Sequence, residues 1–318
     1  MKKIRVGITM GDPSGIGPAI LVKALIQLKG LAEFVVIGDA WVLGKIPNPK
    51  SQIQNCKIID LNNVSHKNFA FGKIRREYGR ASIEYLDKAL DLIIAREIDC
   101  LVTCPISKES VNRAGFHFPG HTEYLAKCCG RKEFAMMLLN RGLKFTLVTT
   151  HLPLKEVPGR INKEAIVRAI TLTTGALKNL FKIKKPRLVV LGLNPHASDN
   201  GVLGKEEKER IIPAIRLLRK RLKTDIQGPL SADVAVLMAS RGKFDAAIAM
   251  YHDQALIPLK LTGADSGVNM TIGLPFVRTS PLHGTAFDIA DNPSIANPAS
   301  LIEAVKVACQ CASSPKKA

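Results

Sequence analysis

The stretch IRVGITMGDPSGIGPAILVKALIQL, residues 4–28, decides how the chain is read. Its first seven residues, Ile4–Met10, form a short apolar run of strand length. Gly11–Gly15 supplies turn residues, and from Ile16 to Leu28 the apolar residues recur at helical spacing. Strand, turn and helix make the opening unit of an α/β protein, and the pattern then repeats. Phe34–Gly38, Cys100–Cys104, Phe134–Leu139, Phe145–Thr149, Leu188–Leu193 and Ala246–Met250 read as further strands. Ser82–Arg96, Lys163–Phe181, Lys205–Lys220, Ala232–Ser240 and Pro298–Ala308 read as helices. The alternation predicts an α/β fold with a largely parallel sheet. There is no internal repeat and no Pro/Gly-rich linker, and Ser313–Ala318 reads as a frayed tail.

Composition narrows the class. Hydrophobic residues make up 46% of the 318 and charged residues 23%, which gives a core large enough for one big domain or two ordinary ones. No apolar run approaches the ~18–20 residues of a membrane helix. The N-terminus lacks an apolar signal core, so the expected location is the cytoplasm. The seven cysteines fit: their number is odd and none forms a CxxC pair or zinc knuckle. The formal charge is +19, with clusters at Lys73–Arg80, Lys182–Arg187 and Arg216–Lys223. Few aromatics accompany these clusters and no nucleic-acid-binding motif is present. They read as a solvated basic surface that draws in anionic substrates, with neither nucleic acid nor membrane expected as a partner.

Three of the seven histidines share one setting. His151, His196 and His252 each follow a predicted strand, where an α/β sheet places its ligand crevice. Imidazoles from three strand ends can hold a divalent metal and leave positions open for substrate. Taken singly, each could equally satisfy local hydrogen bonds. Asp233 and Asp253 are nearby oxygen donors. The turn MGDPSGIGP (10–18) is neither a GxGxxG fingerprint nor a P-loop; it reads as a plain turn or, less simply, as an anion site at a helix start. In FHFPGHTE (116–123), Thr122 is either a helix cap or, with His121, a substrate contact. Gly273–Ala290 lacks periodicity and reads as a long ordered loop, which in compact domains is usually functional. Arg278 and Lys260 are the cations suited to a phosphate or carboxylate.

Seven segments in order resemble the 4-hydroxythreonine-4-phosphate dehydrogenase family of pyridoxal phosphate biosynthesis. They are MGDPSGIGP (10–18), FPGHTE (118–123), TTHLPL (149–154), GLNPHA (192–197), GPLSAD (228–233), YHDQALIPLK (251–260) and GVNMTIGLPFVRTSPLHGTAFDIA (267–290). The last also looks like the nucleotide loop of the isocitrate and isopropylmalate dehydrogenase group. The resemblance implies two α/β/α domains sharing an extended, mostly parallel mixed sheet with a cleft between them. Residues 1–125 with 270–318 would bind the nucleotide; 126–269 would carry the metal, substrate and dimerisation functions. It implies a homodimer whose active site is shared between subunits. By position, His151, His196 and His252 match metal ligands. His121, Thr122, Lys260, Asn269 and Arg278 match substrate contacts. Catalytic roles fall to His121, Asp233 and Lys260, and His283, Gly284 and Asn297 match the cofactor loop.

The implied reaction is oxidation of 4-phosphohydroxy-L-threonine at C3 by NAD or NADP, with one divalent ion (zinc, magnesium or cobalt) as Lewis acid. The β-keto acid formed loses CO2 to give 3-amino-2-oxopropyl phosphate. The sequence departs from the family at Ala19, Ser198, Asp199, Ser231, Ala255, Leu282 and Asp291. None removes a matched ligand. Positions 282 and 291 flank the cofactor loop. Those at 198, 199 and 255 keep open a paralogue acting on 4-phospho-D-threonate or 4-phospho-D-erythronate.

Overall fold

The structure, a computed structural model, describes residues 3–47 and 56–313. The expected frayed tail therefore lies almost wholly outside the described residues. The chain forms two compact units, Met1–Lys132 with Leu274–Ala318, and Glu133–Gly273.

The first unit opens with β1 (Arg5–Thr9), α1 (Gly17–Gln27), β2 (Glu33–Gly38), α2 (Ala40–Leu43) and β3 (Cys56–Asp60). It continues through α3 (Arg76–Ile94), β4 (Cys100–Thr103), α4 (Lys108–Arg113) and α5 (His121–Cys128). The second unit holds β5 (Ala135–Asn140), β6 (Leu143–Leu147), α6 (Val157–Arg160), α7 (Lys163–Asn179) and β7 (Arg187–Leu191). After these come α8 (Ile212–Leu222), β8 (Asp225–Leu230), α9 (Ala232–Ser240), β9 (Ala246–Ala249), α10 (His252–Thr262) and β10 (Val268–Ile272). The chain then returns to the first unit with β11 (Val277–Pro281) and α11 (Ala299–Ala312).

In the first unit the strand order is β3-β2-β1-β4-β11, every pair parallel. β4 and β11 are buried along their whole lengths, and β1 in all but its first residue. Strands covered on both faces read as unbroken apolar runs, which is why β1, β2 and β4 were legible. In the second unit the order is β10-β5-β6-β9-β7-β8. β10, β5 and β6 are antiparallel, and β6, β9, β7 and β8 are parallel. The β5–β6 hairpin turns at Arg141 and Gly142, whose φ values of 43° and 89° make the mirror-image turn that matches strand twist. Val190, Leu188, Ile248, Ile170 and Ile215 centre this unit's core.

The α/β expectation holds, with corrections in detail. The stretch Gly273–Ala290 is not all loop, because β11 lies within it and pairs with β4. Arg278, Thr279 and Ser280 disguised it, since a polar strand gives no apolar run. Their polar groups are buried against partners: Thr279 Oγ1 donates to the Ala304 carbonyl at 2.8 Å. β3, β8, β10 and α10 are additional elements. α3 starts six residues before the expected Ser82. The helix expected from Lys205 begins as a π-helical turn, Glu207–Ile211, ahead of α8.

Candidate active site

The candidate residues fall into two groups, one in each unit. In the first unit Arg278 points from β11 into the interior and is 1% exposed. Its Nη2 donates to Thr103 Oγ1 at 2.6 Å. Burial pulls the guanidinium down to about 9, with the Glu123 carboxylate opposing. Thr103 ends β4 and sits in register with Thr9 of β1, so their side chains share a face of the sheet. Thr9 Oγ1 is shielded from water and has no hydrogen-bond partner among the described residues. His121 opens α5. Burial, and then the charge of Arg278, depress its imidazole well below the usual range, so the ring is neutral at neutral pH. Its Nε2 is likewise shielded and without a partner among the described residues. Thr122 is buried but is no cap: Gly120 occupies that position and no side chain caps the helix. A buried cation and an unmatched hydroxyl suit an anionic group, whereas the neutral ring, bonded to the Cys104 backbone through its other nitrogen, leaves Nε2 as an acceptor for a proton donor.

The turn at residues 10–18 is buried throughout. Ser14 N–H donates to Asp12 Oδ1, Gly15 N–H to the Asp12 carbonyl and Ile16 N–H to the Thr285 carbonyl. Those three donors are used within the turn and its neighbours, which supports the plain-turn reading of this part of the segment. Gly11 has φ of 78°, and a side chain there would meet the Pro105 carbonyl, so only glycine fits. The turn packs instead on the predicted cofactor loop, where Gly15 lies against Thr285. On that loop His283 and Gly284 are exposed, and the space beside Gly284 is open. Asn297 is exposed too, and its Oδ1 accepts the Ala299 N–H at 3.0 Å, at the head of α11.

Asp12 is fully buried, and burial pushes its carboxyl up to about 6, only partly offset by the bonds from Ser14. The folded state thus binds this proton more tightly than the unfolded chain. The favourable contribution is complete below about pH 4 and is lost as pH rises towards 6. We expect the unfolding free energy of Asp12→Asn, minus that of wild type, to grow across this window by up to roughly 3 kcal/mol. Parallel melting curves from pH 4 to 7 would remove Asp12 as the cause.

In the second unit β6, β9 and β7 are neighbours and parallel, so their C-terminal ends lie along one edge. His151, His252 and His196 follow those ends. Two of them meet, with ring centroids 5.8 Å apart for His151 and His252. His252 Nδ1 lies 2.7 Å from Asp253 Oδ1. With the proton on that nitrogen, Nε2 keeps its lone pair. Among the described residues, no three or more His, Cys, Asp or Glu gather closely enough to hold a metal ion. Within one chain, then, His196 does not close a three-membered group with the pair. Its neighbour is Asp233, whose carboxyl is held low by the Ser231 hydroxyl and the Val234 N–H, with a smaller contribution from His196. Lys260 is exposed near the end of α10, an end tied down by Asn140 Nδ2, which donates to the Leu259 and Gly263 carbonyls. Asn269 lies on β10 with its Oδ1 buried and unmatched among the described residues.

Two side chains passed over in the sequence tie the strand ends together. Thr149 Oγ1 donates to the Met250 carbonyl at 2.7 Å, joining the stems of His151 and His252. Gln254 Nε2 donates to the Gly192 carbonyl while its Oε1 accepts the Met250 N–H, both at 2.8 Å, joining the stems of His196 and His252. Thr149 and Thr103 stand at strand ends, where the rule that picked out the histidines would have found them. Gln254 sits within the quoted YHDQ.

The sequence matches the family described as pyridoxal phosphate biosynthetic protein PdxA over residues 18–308. The chain belongs to the PdxA family. It is 45% identical to a 4-hydroxythreonine-4-phosphate dehydrogenase of Sulfurihydrogenibium sp., covering 96% of this chain and 97% of the relative. It is 39% identical to a D-threonate 4-phosphate dehydrogenase of Cupriavidus necator, covering 96% and 97%. A crystal structure of 4-hydroxythreonine-4-phosphate dehydrogenase from Klebsiella pneumoniae superposes with a TM-score of 0.87 at 33% identity, covering 98% of each chain. PdxA relatives are thus dehydrogenases of phosphorylated small molecules.

Proposed function

We propose that the chain oxidises 4-phosphohydroxy-L-threonine at C3 to a β-keto acid that decarboxylates to 3-amino-2-oxopropyl phosphate, in the cytoplasm, in pyridoxine 5'-phosphate biosynthesis. The observation that carries this reading is the buried Arg278 with its Thr103 and His121 neighbours, a prepared anion site in a member of this family. Arg278 supplies a fixed charge for an anionic group of the substrate, and Lys260, on the other unit, is the second cation that the family resemblance assigns to substrate. Neutral His121 serves as a hydrogen-bonding partner or proton acceptor, and Thr122 and Asn269 add polar contacts.

The unit containing His283, Gly284 and Asn297 binds the nucleotide, and its exposed, open loop suits a flat ligand. NAD or NADP supplies the hydride acceptor. His151, His196 and His252 fit a divalent ion such as zinc, magnesium or cobalt, since all three are imidazoles at one strand edge and Asp253 fixes the ring of His252. That ion supplies Lewis-acid stabilisation of charge developing on the substrate oxygen. A second copy of the chain completes the site in a homodimer. The apolar side chains Val234 and Leu237 on α9, and Ile257 and Leu261 on α10, support this reading. They are 47–83% exposed on the helices that carry Asp233, His252 and Lys260.

The alternative substrate, 4-phospho-D-threonate, is favoured by the similarity to the Cupriavidus necator enzyme. One panel separates the two. Purified protein is given 4-phosphohydroxy-L-threonine, 4-phospho-D-threonate or 4-phospho-D-erythronate, with NAD or NADP, with and without each divalent ion. Reduced nucleotide is followed by absorbance. The first substrate should be turned over fastest, and only with metal. Preference for the D-threonate would assign the paralogous activity.

A further inference from the structure

The turn that carries His196 is unusual. From His196 to Asn200 five consecutive residues other than glycine have φ between 45° and 70°. A left-handed run of L-residues is intrinsically unfavourable and persists only where its surroundings impose it; such runs cluster at functional sites. The imposing group is identifiable. Glu207 is 1% exposed, at the start of the π-helical turn Glu207–Ile211, and lies outside every motif noted in the sequence. Its Oε1 accepts the N–H groups of both Leu193 and Asn194, each at 2.8 Å. Its Oε2 accepts Asn194 Nδ2 at 2.9 Å, a donor also reached by Glu206 Oε2 at 2.9 Å. Leu193 and Asn194 lie beyond the end of β7, so the carboxylate stands in for a missing strand partner. The turn then closes on itself: Ala197 N–H donates to the Asn194 carbonyl and Leu203 N–H to the Ser198 carbonyl. A side chain at Gly192 would lie 2.9 Å from Ala197 Cα and 3.3 Å from Glu207 Oε1, so strand end, turn and carboxylate are packed together.

We infer that Glu207 is a positioning residue that fixes the left-handed turn presenting His196 to a divalent cation. The cation part of this statement rests on the reading of His196 as a metal ligand; the hold on the turn does not. Two substitutions of similar size separate acceptor from bulk. Glu207→Gln keeps one oxygen able to accept both backbone N–H groups, whereas Glu207→Met fills the space and accepts neither. Two measurements on the full-length protein test the inference: amide hydrogen exchange without metal, and Co2+ affinity by competition with a chromophoric chelator. In wild type the Leu193 and Asn194 amides should exchange slowly although no strand pairs with them. In Glu207→Met they should exchange at least tenfold faster, and Co2+ affinity should fall by about 10–100-fold. Glu207→Gln should stay within about threefold of wild type on both measures. Wild-type exchange and Co2+ affinity in Glu207→Met would overturn the inference. So would rapid exchange of both amides in wild type, a result that needs no variant to fold. His196→Ala is the reference: if it binds Co2+ as tightly as wild type, the metal assignment of His196 fails and the cation part of the inference fails with it. The exchange data alone then decide whether Glu207 holds the turn.

Discussion

Replacing Arg278 with methionine is expected to weaken binding of the phosphorylated substrate by about 10²–10³-fold while leaving nucleotide affinity unchanged. A buried charge paired with a ligand anion is worth several kcal/mol when one side is truncated, because the other is then left unmatched in a low-dielectric site. Here the cost of burying the guanidinium is met during folding, with Thr103 Oγ1 at 2.6 Å and Glu123 nearby as partial compensation. Arg278→Met should melt no lower than wild type, as apolar replacements of buried charges often do. Lysine is a poor substitute, since it lacks the planar fork. Calorimetric titration with substrate and with NAD, beside a melting curve, checks all three statements. Equal losses for both ligands would show that Arg278 shapes the unit rather than binds substrate.

The second large effect is expected at the histidine pair. His252→Ala should lose at least about 100-fold in turnover at a metal concentration that saturates wild type, beyond what removing a group hydrogen-bonded to a ligand usually costs. Without metal its melting temperature should match wild type. The ring is only half-buried, and its hydrogen bond to Asp253 lies at the surface. His151→Ala should behave alike, because the two rings are 5.8 Å apart and neither alone makes a site. Metal content after dialysis gives an independent reading. A variant that retains both bound metal and turnover would detach the pair from the chemistry.

The contrast between what could be read in the sequence and what could not has physical causes. β1, β2, β4, β5, β6, β7 and β9 were visible because strands covered on both faces must be apolar along their length. β11 was hidden by Arg278, Thr279 and Ser280, polar side chains buried with partners that no periodicity encodes. α10 escaped because Pro258 interrupts it and because Ile257 and Leu261 face outward, so its apolar residues do not gather on one face. The three histidines were found by where they sit, just past strand ends. Glu207 could not be found in that way. A glutamate reads as a surface residue, and nothing local shows that it is buried or that it serves a backbone fourteen residues earlier.

The chain's route has a consequence for how the protein is made. Residues 133–273 are continuous in sequence, so that unit is complete as soon as it leaves the ribosome. The other unit must wait. Until β11 and α11 emerge, β4 lacks a neighbour and an apolar face lies open. Arg278, proposed above to hold substrate, is therefore delivered only after the second unit is complete, and a nascent chain stalled before residue 274 would hold its histidine pair without that cation.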